Sequence, residues 1–510
     1  MPYRKGDLAD LLLQLNFGSS IAEQDYLLGP ARVETSVFFD LLTDRVDLVP
    51  GTKGSGKSAL YRIFVEILAP VLYQENRVVI AHGVQSHGDN VFMAFNDRFE
   101  ELSEADFVDF WCIYLVSLAH EQFIKNPEFG ERLAACDAEI DRFRSACAAA
   151  KIPEIKSRKS LRDVLEWALN ALPRPRKLSY VPQEGGRYEL DLFGEPAGPQ
   201  PRAAIDGDED PIPRYVGQVK EALEAVLDKA GLNLWLMVDR LDELFPRRSQ
   251  VETRALRGLL RVLRVFESRE IRVKVFLRDD ILDQVTSTGE GFTALTHITA
   301  RQAETLRWSE DDVLTLIVNR LFASTAMRDA VGVDPKCLRE SHDYRRESFY
   351  RAFPETIYSP PNQSVTLRWI MSHTADGKGV VTPRDVIELL NAAKRHQIDE
   401  FRQDPNGMTE YVIGSSSIRA GLEVLSIKKK DTVLRAELPH LWPYIEKFVG
   451  QSTEYSERAV KQLLGSGSEG VIKDLVSIGF MTETRSGGAR TYKIPFIYRK
   501  GLELTQRRQE

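Results

Sequence analysis

The chain has 510 residues, 43% of them hydrophobic and 28% charged, with a formal net charge of −7 and four cysteines. That length suits roughly two to four domains of an ordinary globular protein, and the negative balance excludes a chain built throughout as a polycation for nucleic acid. Cys112, Cys136, Cys147 and Cys337 lack paired or metal-ligand spacing, the N-terminus has no apolar signal segment, and no apolar run reaches the about 18 residues that span a bilayer, so a reducing cytoplasm and no membrane are expected.

In chain order, residues 1–45 read as a helical segment, with Leu8, Leu11, Leu12, Leu13 and Leu15 in a helical pattern and a Phe38-Phe39-Leu41-Leu42 cluster expected on a helix packed under the nucleotide sheet. An apolar strand at 46–49 then runs into Gly51-Thr52-Lys53-Gly54-Ser55-Gly56-Lys57-Ser58-Ala59, followed by a helical pattern. Strand, glycine loop and helix make the context of a phosphate-binding loop, GxxxxGK[ST]. Gly54 and Gly56 let backbone N–H groups surround a β-phosphate, and the helix directs its positive end at the same oxygens. Lys57 is expected on the β- and γ-phosphates and Ser58 on Mg²⁺. The ligand class is a nucleoside triphosphate, and the absence of an Asn/Thr-Lys-x-Asp string to read guanine favours ATP.

Further strands are expected at 77–82, 233–238 and 272–277, the last two apolar enough for a parallel sheet buried on both faces. The distance from Lys57 to Asp239 exceeds a minimal core, so an insertion is expected at about 125–215. Helices are predicted at 105–124 and 160–172, with a hairpin arm at Tyr188–Phe193 inside a proline- and glycine-rich surface excursion over 175–213. The strand at 233–238 ends in Asp239, a carboxylate placed to hold the Mg²⁺ water shell. Glu243, with Asp242 as the alternative, is the candidate to orient or deprotonate the attacking water. Arg278, at the tip of the strand expected beside the phosphate loop, is a candidate γ-phosphate reader, with an ion pair to Asp279 or Asp280 as the competing reading.

After residue 278 the pattern is mainly helical. Ser309, followed by Asp312, and Thr382, followed by Pro383, read as helix N-caps. Arg384, in the first turn of the second helix, is a candidate to reach the phosphates from a lid, and Arg301 and Arg307 are weaker candidates for a finger toward a neighbouring subunit. Residues 454–505 read as two helices and a two-stranded ribbon, with a turn at Ser486-Gly487-Gly488 and a return strand over 490–498. This resembles a winged helix. Lys461, Lys473, Arg485, Arg490, Lys493, Arg499 and Lys500 are its candidate DNA-backbone contacts, and Glu469, Asp474 and Glu483 oppose them.

Together these motifs resemble a STAND/AAA+-type P-loop ATPase. Val238-Asp239-Arg240-Leu241-Asp242-Glu243-Leu244 is similar to the NACHT form of the second acidic motif, with Arg240 where a small residue is usual. Thr382-Pro383-Arg384 is similar to a lid motif ending in Pro-Arg, and Arg278 matches an arginine sensor position. The chain also resembles KAP-like bacterial P-loop ATPases of anti-phage defence systems. The resemblance implies an α/β fold with a P-loop NTPase core on a parallel sheet, a helical lid and a C-terminal winged helix. The expected limits are 1–45 for the N-terminal segment, 46–300 for the core, 301–410 for the lid and 411–510 for the linker and winged helix. It implies an ATP- and Mg²⁺-dependent switch in which ATP closes the lid on the core, forming a homo-oligomer and acting on a separate effector or sensor protein. The alternative is a DNA-bound AAA+ initiator or loader using the winged helix.

Overall fold

The computed structural model describes residues 3–83, 99–100, 102–150, 214–241, 249–287, 295–358, 364–465, 467–486 and 489–509. The expected helix at 160–172, the hairpin arm at Tyr188–Phe193 and the excursion at 175–213 lie outside the described residues. The chain divides into two compact units. A sheet unit holds Asp40–Thr52 and Leu60–Thr305, and a helical unit holds Met1–Phe39, Lys53–Ala59 and Leu306–Glu510.

The sheet unit is built on four parallel strands, β1 (Leu48–Gly51), β2 (Val78–Gly83), β3 (Asn233–Val238) and β4 (Ile271–Arg278), in the spatial order β1-β4-β3-β2. The apolar runs that predicted β3 and β4 are buried, because a parallel sheet takes cover on both faces. A further segment continues the sheet past β1. Asp47 N–H donates to the Arg301 carbonyl at 2.7 Å and Ala303 N–H to the Leu48 carbonyl at 2.8 Å, around a parallel bridge of Leu48 with Gln302.

Helices α1 (Glu104–Ala119) and α2 (Gln250–Val265) pack together, and the Trp111 indole donates to the Ala255 carbonyl at 2.8 Å. Gly258 permits this approach, since a Cβ there would stand 2.7 Å from Phe107 Cβ. One polar residue breaks the apolar rule. Lys274 of β4 is fully buried, and its ammonium is held by Asp44, by Asp47 at 2.8 Å and by the Val46 carbonyl at 2.7 Å. A buried cation survives only when it is paired and hydrogen-bonded in this way.

The helical unit contains α3 (Glu310–Leu321), α4 (Thr366–Thr374), α5 (Pro383–Gln403) and α6 (Ser415–Lys429). The two predicted caps form: Ser309 and Asp312 close a capping box on α3, and the Thr382 hydroxyl accepts from Asp385 N–H at 3.2 Å with Pro383 in the first turn of α5. Helix α5 crosses α6 at Gly421, where a Cβ would lie 2.6 Å from the Leu389 carbonyl. The N-terminal helix, Lys5–Gln14, belongs to the same core, with Leu8, Leu12, Leu15 and Phe17 buried among residues of this unit.

The C-terminal module contains the expected two helices and two-stranded ribbon, preceded by a strand that the sequence reading did not include: β5 (Ser452–Ser456), α7 (Glu457–Leu464), α8 (Glu469–Ser477), β6 (Thr482–Ser486) and β7 (Ala489–Lys493). Strand β7 pairs antiparallel with both β5 and β6, and β8 (Thr505–Gln509) adds a parallel edge beside β5. The return strand is shorter than expected. It ends at Lys493, and after Pro495 residues Phe496–Arg499 form a helical turn instead, because proline fixes φ and removes a ladder donor.

Candidate nucleotide site

The sheet positions one set of candidate residues. All four strands run the same way, so Gly51, Asp239 and Arg278 lie at their C-terminal ends, the edge where open α/β sheets bind ligands. Gly51 is the direct register partner of Arg278. Asp239 follows the last residue of β3 and is 3% exposed. Arg240 then takes the left-handed backbone region, φ 61°, so the chain turns sharply just past the carboxylate. The residue that departs from the NACHT pattern is therefore also a non-glycine residue in an unfavourable conformation, costing roughly 1 kcal/mol.

Tyr61 stands near this edge. Its hydroxyl donates to the Gly83 carbonyl at 3.1 Å. Burial, and then the Asp239 charge, push its phenol well above the usual range, so it stays a neutral donor. The Arg278 guanidinium grips Asp280 through both arms, Nε to Oδ1 at 2.9 Å and Nη2 to Oδ2 at 2.7 Å. Of the two readings for Arg278, the ion pair is the one present here. Asp242 and Glu243 lie outside the described residues. Arg301 is engaged by Asp47 at 2.5 Å and by Asp44 at 3.0 Å, which leaves it a structural tie of the sheet rather than a free finger. Arg307 is exposed.

The phosphate loop itself, Lys53–Ala59, belongs to the helical unit. Gly54 has φ +84° and Gly56 φ +101°, conformations that a side chain would strain. Lys57 and Ser58 open the helix Lys57–Arg62 behind them. The Trp308 indole donates to the Ser55 carbonyl at 2.7 Å, and the Lys53 ammonium pairs with Glu437 at 2.6 Å. Arg384 lies directly over the loop: a Cβ on Gly54 would be 3.4 Å from Arg384 Cβ and 3.5 Å from its Cδ. The half-buried Arg384 makes no ion pair or hydrogen bond with any described residue.

These residues fit an anionic, oxygen-rich ligand. The Ser55 hydroxyl is 1% exposed as a residue and has no partner among the described residues. Gly54 and Gly56 take the left-handed conformations that shape the loop, and Arg384 offers a charge with no counter-ion among the described residues. Ser58 in the loop and Asp239 at the end of β3 each carry an oxygen of the kind a magnesium ion takes. Trp308 and Glu437 were not anticipated beside the loop, nor Tyr61 at the strand ends. Trp308 precedes a helix cap, where an apolar residue ordinarily serves as a packing staple, and nothing local marks its distant partner.

In the C-terminal module some of the candidate basic residues are engaged by neighbouring acids, while Lys473, Lys493 and Lys500 are exposed with no ion pair among the described residues. Lys461 pairs with Glu457 at 2.8 Å and Glu469 at 3.0 Å, and Arg485 with Glu483 at 2.6 Å. Arg499 is buried, donating to the Ile494 carbonyl at 2.8 Å and lying over the Phe496 ring, so it is no DNA contact.

No family model and no curated protein matches the chain. Among solved structures it is similar to the Aeropyrum pernix ORC2 protein in its ADPNP–ADP complexes, with 12% identity and a TM-score of 0.38 over 92% of this chain and 89% of that one. The fold class stands on the strand order and the loop described above: an α/β P-loop core on a parallel sheet, with helical and C-terminal modules. No helix among the described residues is long and apolar enough to cross a membrane.

Proposed function

We propose that the protein is a Mg²⁺-dependent ATPase of the STAND/AAA+ kind whose nucleotide state is read by its helical unit. The observation that carries this reading is Arg384, held over Gly54 of the phosphate loop with no partner among the described residues. A γ-phosphate on the loop supplies the missing counter-charge, and a diphosphate does not reach as far. That difference in contacts between ATP and ADP is what a switch requires.

In this reading Lys57 would bind the β- and γ-phosphates, and Ser58 and Asp239 would hold Mg²⁺, which would supply charge neutralisation at the phosphate oxygens. Glu243, or Asp242 in its place, orients the attacking water, and Arg278 must leave Asp280 to take part. The setting is cytoplasmic. The family resemblance adds self-assembly and a defence role through a separate effector or sensor chain. The internal pairing of Lys461 and Arg485 removes two of the basic residues a DNA-bound loader would use, while Lys473, Lys493 and Lys500 are left exposed.

The test is steady-state hydrolysis and nucleotide binding by the full chain. Lys57→Ala is expected to abolish both. Glu243→Gln should keep binding and lose hydrolysis by at least about a hundredfold. Arg384→Ala should weaken ATP binding tenfold or more while sparing ADP. Equal loss for ATP and ADP in Arg384→Ala would sink the switch, and stimulation of hydrolysis by duplex DNA would favour the loader.

A further inference from the structure

The helical unit contains an open cavity of about 470 Å³ between residues 16–26 and helices α5 and α6. Its size suits a small molecule. Its N-terminal wall is held rigidly. Gly18 takes φ +83°, and a Cβ there would stand 2.0 Å from Arg320 Nη1. Behind it Arg320 forks onto Asp25 at 2.5 Å and donates to the Phe17 carbonyl at 2.6 Å, with both side chains buried. Asp25 also accepts from the amides of Ser19 and Leu27 at 3.3 and 3.2 Å. Asn391 of α5 donates to the Gly18 carbonyl at 3.0 Å. A wall fixed from both sides in this way is preorganised for a ligand.

The charges lining the cavity do not balance. Lys394, Arg395 and Lys428 line it against the single carboxylate of Glu388, which already accepts from Lys428 and from Ser20, each at 2.8 Å. Lys394 is half-buried, and its one hydrogen bond among the described residues is to a neutral group, the Leu15 carbonyl at 2.6 Å. Burial and then the neighbouring Arg395 charge lower its pKa, as expected of an ammonium without a counter-ion. Arg395 has no ion pair or hydrogen bond with any described residue. Two cations thus lack an anion among the described residues, and a guanidinium fork beside an ammonium suits phosphate oxygens. At the mouth, Tyr26 and Val424 are 63% and 47% exposed, an aromatic face and an apolar patch able to cover an organic body.

We propose that this cavity binds a small organic phosphate of about mononucleotide size, with the phosphate on Lys394 and Arg395 and the organic part against Tyr26 and Val424. The site shares no residue with the phosphate loop, so it stands or falls apart from the ATPase reading. It gives the helical unit a second ligand whose binding can report on or bias the first.

The test is calorimetric titration of the full chain, presaturated with ADP and Mg²⁺, with AMP, ribose 5-phosphate or inorganic phosphate. AMP is expected to bind, more tightly than inorganic phosphate. Its affinity should fall at least tenfold in Arg395→Glu, an exposed change with no partner to disturb, and severalfold in Tyr26→Ala. The proposal is overturned if none of the three probes binds at millimolar concentration. It is also overturned if ADP displaces AMP, if Arg395→Glu leaves affinity unchanged, or if inorganic phosphate binds as tightly as AMP.

Discussion

Trp308 shows how one side chain can prepare a phosphate loop. A trans peptide is planar, so the Ser55 carbonyl and the Gly56 N–H point in opposite directions. By donating to that carbonyl at 2.7 Å, the indole fixes the direction in which the Gly56 amide faces. The capping box immediately after Trp308 pins the start of α3 and with it the ring. Trp308→Phe keeps most of the volume and removes the donor. Nucleotide affinity is expected to fall about fivefold, the worth of one hydrogen bond, while the melting temperature changes little. A titration with fluorescent nucleotide checks this, and an unchanged affinity would contradict it. The loop's residues were legible in the sequence because their chemistry demands glycine, lysine and serine at fixed spacing. Trp308 and Glu437 were not, because their partners lie far away in the chain and no local pattern encodes them.

At the scale of elements, what could be read in advance was what local chemistry decides. Thr382 and Ser309 cap where predicted, and the apolar runs of β3 and β4 become buried strands. The end of the chain was misread where local propensity and packing part company. Residues after Pro495 coil into a turn that places Phe496 on His373. There a stack runs from Trp369 through His373 to Phe496, with 3.9 Å between successive ring centroids, joining α4 to the C-terminal module. Burial lowers the His373 pKa from its usual 6.5 to about 4. The native state therefore resists a proton that the unfolded chain accepts. The stack's contribution is complete above pH 6.5 and is lost progressively as pH falls toward 4. Thermal melts across that window should show the wild type losing more stability than His373→Phe. Parallel curves for the two would mean that the ring titrates normally.

At the scale of the whole molecule, the units are not consecutive in the chain. Leu8, Leu12, Leu15 and Phe17 are buried with residues such as Val313, Leu316 and Leu390, all beyond residue 305. Cutting the chain after Thr305 is expected to leave this N-terminal stripe exposed and the loop without Trp308, Arg384 and Glu437. The 1–305 fragment should bind an apolar dye, self-associate in sedimentation and show no nucleotide binding. A monomeric fragment that binds ATP with full affinity would refute this. A sequence scanned in order suggests modules laid end to end, because nothing in a local pattern tells an N-terminal helix which distant core will receive it.

The same discontinuity reaches the ribosome. Tyr3 and Arg4 form a two-residue ladder with Thr409 and Met408, and Arg4 bonds Asn406, 402 positions along the chain. At ordinary rates of synthesis, those first residues wait roughly 20–80 s for their partners to be made. During that interval a leucine-rich helix has no core to enter.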